Sequence, residues 1–141
     1  MRNLISVTFG TPEHGWLPVD FHYNDFRLDF DASDVLNNPI EELYNVITKL
    51  QNNEQRRVTW WLEPVAYFFD FEKNVEKYTL TIIDTDDLHN ENAEKVVLAT
   101  IEGNREKIIE PFRIALKQFL THPYEEIYWP YTLDKSKVEN L

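Results

Sequence analysis

The stretch LPVDFHYNDFRLDF, residues 17–30, decides the fold. Leu17, Val19, Phe21 and Tyr23 alternate with Pro18, Asp20 and His22, the period-2 pattern of a half-buried strand. After Asn24-Asp25 the alternation resumes in Phe26, Leu28 and Phe30. Two turn-forming residues between two such runs predict a tight antiparallel hairpin. Its outward face carries Asp20, His22, Arg27, Asp29 and Asp31. Upstream, Ile5, Val7 and Phe9 alternate as a further strand, followed by a loop over Gly10–Gly15.

Downstream, NNPIEELYNVITKL (residues 37–50) changes period. Asn38 suits an N-cap, Pro39 the first helical position, and Glu41 can close a capping box. Ile40, Leu43, Ile47 and Leu50 form the apolar stripe of that helix. Strand character returns over Val58–Phe71. Val58, Trp60 and Leu62 share a face, but Val65, Tyr67, Phe69 and Phe71 have the opposite parity. A phase slip at Glu63-Pro64 predicts a bulge or an edge position there, since proline cannot donate to a ladder. A turn at residues 73–76, a strand through Tyr78, Leu80 and Ile82, a polar loop over Asp84–Glu94 and a strand over Val96–Ile101 follow. Ile108, Ile109, Phe112, Leu116, Phe119 and Leu120 are spaced as a last helix, which Pro111 either kinks or opens.

The order reads β-β-β-α-β-β-β-α. Short turns between strands imply an antiparallel meander rather than parallel crossovers. The expected fold is α+β: an antiparallel sheet of about six strands with two helices packed on one face. All 141 residues fit a single domain, with an aromatic tail from about residue 122 that carries Tyr124, Tyr128, Trp129 and Tyr131. That tail is either a strap over the core or a contact segment.

Charge bounds the function. The 14 Lys and Arg stand against 25 Asp and Glu, a formal net charge of −11. A surface of that sign repels nucleic acid and anionic membranes. With 43% hydrophobic and 14% aromatic residues the chain is too apolar to be a disordered acidic segment. It has no cysteine, which excludes disulfides, thiolate metal sites and cysteine nucleophiles. The first residues alternate like a strand and lack the continuous apolar run of a signal peptide, and no 18-residue apolar window occurs; a cytoplasmic location is expected.

No phosphate-binding glycine loop, HExxH, GxSxG or dinucleotide fingerprint is present. His14, His22, His89 and His122 are never three or four residues apart, and neither metal nor cofactor is expected. Asp84, Asp86, Asp87 and Glu91 form the densest acidic stretch; His89 stands where a calcium loop needs glycine. Trp60 and Trp61 are adjacent in a strand and must point to opposite faces, one into the core and the other covered or exposed. An exposed Trp61 beside Glu63 would stack on a sugar or anchor a partner.

The segments GWLPVDF, NNPIEELYNVITKL and WWLEPVAYFFDF together resemble, over about residues 15–83, small uncharacterised bacterial proteins, some of which are similar to immunity proteins of polymorphic toxin systems. The resemblance implies a compact acidic α+β protein that neutralises a toxin by binding it, and it carries over no catalytic residue. The expected function is thus a non-catalytic acidic protein-binding module with a basic protein partner. The candidate contact residues are Asp20, Asp29, Trp61, Glu63, Asp84, Asp86, Asp87 and Glu91. Two other readings stay open: a structural or oligomerisation domain, and a carbohydrate or small-ligand site, or weak hydrolase, built from Trp61, Glu63 and Tyr67.

Overall fold

The computed structural model describes residues 4–87, 89–121, 129 and 135–141. Among them the order is β1 (Ile5–Phe9), β2 (Trp16–Tyr23), β3 (Phe26–Ser33), α1 (Pro39–Lys49), β4 (Glu54–Trp61), β5 (Ala66–Asn74), β6 (Lys77–Thr85), β7 (Lys95–Gly103), α2 (Arg105–Ile108), α3 (Glu110–Thr121) and α4 (Lys135–Glu139). The class is α+β and every strand pair is antiparallel. The strands do not form one sheet, however. They divide into a three-stranded sheet β1-β2-β3 and a four-stranded sheet β4-β5-β6-β7.

The expected hairpin is present, with Tyr23 opposite Phe26 and Asn24 at φ 54° in the turn. So is the helix start. Asn38 Oδ1 accepts from the Glu41 amide at 3.1 Å and Pro39 opens α1. The extra strand comes from the slip at Glu63-Pro64, which is a chain reversal rather than a bulge within one strand. Leu62 N–H donates to the Val65 carbonyl at 2.6 Å around a cis Glu63–Pro64 bond, with Glu63 at φ 61°. The reversal sets Val58 against Phe69 and Trp60 against Tyr67, so even positions of β4 share a face with odd positions of β5. The parity change in the sequence is the mark of that pairing. Pro111 occupies the first turn of α3, after the short α2.

The apolar faces of both sheets meet α1 and α3 in one core. Phe69 lies at its centre, with ring centroids 5.5 Å from Phe21, 6.0 Å from Trp60 and 6.2 Å from Phe112. Of the aromatic tail, Trp129 is fully buried in this core; Tyr124, Tyr128 and Tyr131 lie outside the described residues.

Side chains of α1 and of the segment before it finish the outer edge of β4. The Thr59 amide donates to Glu42 Oε1 at 2.9 Å, and the Thr59 carbonyl accepts from Asn37 Nδ2 at 2.8 Å. A backbone pair that would otherwise seek another strand is satisfied there. Burial raises the Glu42 pKa, outweighing the Thr59 and Asn37 hydrogen bonds that lower it. The folded state therefore binds this proton more tightly than the unfolded chain. The proton-linked part of the stability from Glu42 grows as the pH falls through its folded pKa and is absent at neutral pH. Urea unfolding should show the native protein gaining on Glu42→Gln between pH 7 and the ordinary carboxylate range, because the other carboxylates cancel in that difference.

A second test lies in the β5–β6 hairpin. Val75 is exposed at its tip with φ 52°, a left-handed conformation that a β-branched residue adopts at a cost. Val75→Gly should raise stability by about 0.5–1 kcal/mol in denaturant titration.

Candidate functional site

Among the described residues no helix or strand packs on the outer face of the three-stranded sheet. In β2 the alternation that buries Leu17, Val19 and Phe21 turns Trp16, Pro18, Asp20 and His22 outward. In β3 it does the same for Arg27, Asp29 and Asp31. Register sets Pro18 opposite Asp31, Asp20 opposite Asp29 and His22 opposite Arg27. Asp20 and Asp29 are thus a directly opposed like-charge pair, an arrangement that weakens a sheet. Arg27 Nη2 reaches Asp20 Oδ2 at 3.2 Å, an exposed contact that offsets only one of the two charges. Asp29 and Asp31 have no ion-pair partner among the described residues. Trp16, 38% exposed, extends the acidic row with a large apolar surface. It follows Gly15, whose φ of 85° and close approach to Asp34 leave no room for a Cβ.

The remaining candidates do not join this face. Trp61 lies on the outer side of the four-stranded sheet and is only 8% exposed, packed with Ala66, Phe68 and Ile83. The His89 ring from the loop after β6 stands edge-on to it at 5.4 Å. Of the two expected alternatives for Trp61, covered or exposed, the structure has the covered one: the loop shields the indole. Tyr67 points to the opposite side of the same sheet, where its ring lies 5.0 Å from Phe30. Glu63 is exposed in the turn between β4 and β5. The trio Trp61, Glu63 and Tyr67 is split by the sheet because 61 and 67 differ in face after the chain reversal, so it forms no common ligand surface.

The acidic stretch is also divided. Asp84 belongs to β6, on the core side, opposite Tyr67. Its Oδ1 is buried without a hydrogen bond. Burial, and then the charge of Asp86, raises the Asp84 pKa; burial, and then Asp84, raises that of Tyr67. Asp86 and Glu91 are exposed in the following loop and Asp87 is half-buried there, its Oδ1 accepting from the His89 amide at 2.9 Å. Among the described residues no three His, Asp or Glu side chains converge as metal ligands, and no helix is long and apolar enough to cross a membrane.

Two polar constructions escaped the reading of single residues. One is the Asn37–Glu42 cap on Thr59. The other is a fork in which Arg57 Nε and Nη2 donate to Asp70 Oδ1 and Oδ2 at 2.7 and 2.9 Å, with the guanidinium 4.0 Å over Phe68. Neither has a sequence signal, since each needs the register of distant segments. Trp16 did have one: its parity with Asp20 and His22 already placed it outward.

No protein-family model, curated protein or solved structure matches this chain.

Relief of the Asp20–Asp29 opposition gives a direct test of the geometry. Asp29→Asn should stabilise the fold by at most about 1 kcal/mol at low ionic strength, a gain that shrinks in molar salt. Unfolding titrations at the two salt concentrations measure it.

Proposed function

We propose that this chain is a non-catalytic, acidic protein-binding module that neutralises a basic protein by covering it, in the manner of an immunity protein against a basic toxin. The observation that carries the reading is the open face of β1-β2-β3. Asp29 and Asp31 stand there without an ion-pair partner among the described residues, Asp20 opposes Asp29 at a cost in stability, and Trp16 lies alongside. Carboxylates in a row can occupy positions that substrate phosphates take on a basic partner, and they steer its approach over long range. A partly exposed tryptophan beside them supplies the kind of side chain that dominates interface energetics. The loop carboxylates Asp86, Asp87 and Glu91 add to the same negative field.

The test uses a basic protein encoded beside this chain's gene, with association followed by surface-based kinetics and by protection of cells that express it. The native chain should bind tightly and protect. Asp29→Asn/Asp31→Asn should slow association at least tenfold and remove most of its salt dependence, while Trp16→Ala should speed dissociation. Unchanged kinetics in both variants, or no binding by any such protein, would overturn the proposal.

A further inference from the structure

The chain's negative charge conceals a concentration of cations on another part of the molecule. A cavity of about 580 Å³ opens where the last turn of α1, the β5–β6 hairpin, α2, α3 and the residues after α4 meet. Lys49, Lys73, Arg105 and Arg113 all line it, and among the described residues no aspartate or glutamate side chain does. Four of the 14 basic residues in an acidic chain thus border one opening.

Their positions are held from behind. Glu110 Oε2 accepts from Arg113 Nε at 2.8 Å, and Glu110 Oε1 lies 3.8 Å from Arg105 Nε. Arg105 Nη2 donates to the Ile47 carbonyl at 3.3 Å, and Arg113 Nη1 to the Leu141 carbonyl at 3.1 Å. Glu110 therefore orients two guanidinium groups, and with the terminal carboxylate of Leu141 beside Arg113 the four cations still outnumber the anionic groups that hold them. The ammonium groups of Lys49 and Lys73 enter no ion pair among the described residues; that of Lys73 lies 5.5 Å over the Tyr78 ring. The carboxylate nearest in register to Lys73 is Glu54, and it is engaged by Arg56 at 2.7 Å. Tyr44 and Tyr78 complete the wall with aromatic surface.

We infer that this cavity is a binding site for a small phosphorylated molecule. Two oriented guanidinium groups and two ammonium groups outside any ion pair among the described residues match a group with several anionic oxygens and two or more negative charges. The volume lies in the range of small-molecule sites. The site is remote in function from the acidic face and does not depend on it.

Isothermal titration of the full chain with inorganic pyrophosphate, a nucleoside diphosphate and citrate tests the assignment. Pyrophosphate or the nucleotide should bind saturably at one site, more weakly as salt rises. Lys49→Gln/Lys73→Gln should weaken binding at least tenfold with little change in melting temperature, because Lys49 is exposed and Lys73 partly so and neither is in an ion pair among the described residues. Arg105→Gln, read in the same way, gives an independent measure should that pair disturb the fold. Absence of saturable binding at millimolar pyrophosphate and nucleotide, binding of citrate alone, or equal binding by the variants would overturn the inference.

Discussion

Packing of Phe69 against Phe21, Phe30, Trp60 and Phe112 is the contact on which the other features rest. Phe21 and Phe30 belong to one sheet, Trp60 and Phe69 to the other, and Phe112 to α3. Among the described residues no backbone ladder joins the two sheets, and this cluster and the helices hold them together. Each aromatic pair contributes roughly 0.5–1.5 kcal/mol beyond the area it buries, and here the pairs share members. Once the cluster forms, the outward face of β2 and β3 is determined by alternation alone. The same cluster seats α3 and α1, and with them the walls of the basic cavity.

Polar groups finish the edges that this packing leaves. At β4 the Asn37 and Glu42 side chains satisfy Thr59, so the strand ends its sheet there rather than continuing it to β3. The burial cost appears in the raised pKa of Glu42. On the far side of that sheet, Arg57 forks onto a buried Asp70 and stacks on Phe68. Its charge is partly solvated, so the pair fixes register more than it adds stability.

A net charge of −11 describes the protein poorly, because two of its regions carry local excesses of opposite sign. Asp20, Asp29 and Asp31 share an open sheet face with Trp16, whereas Lys49, Lys73, Arg105 and Arg113 border a cavity formed by other elements. The first arrangement suits a broad basic partner and the second a small anion. The two readings require different parts of the structure, and each can stand without the other.

Local periodicity in the sequence was sufficient for the β2–β3 hairpin, the start of α1, the outward set Asp20, Asp29 and Asp31, and the α+β class. All of these follow from side-chain alternation and capping between near neighbours. The parity change across Glu63-Pro64 was equally visible, but its meaning was not. A bulge and a chain reversal produce the same slip, and only the pairing of Trp60 with Tyr67 distinguishes them. That ambiguity hid the seventh strand and joined Trp61 to Tyr67 on a surface that does not exist. The fate of Trp61 depended on His89, 28 positions away, and the cavity required cations from four separate elements. Alternation along a strand is encoded by adjacent residues. Which faces become covered, and which charges converge, is decided by contacts between segments far apart in the chain, and only the tertiary structure supplies those.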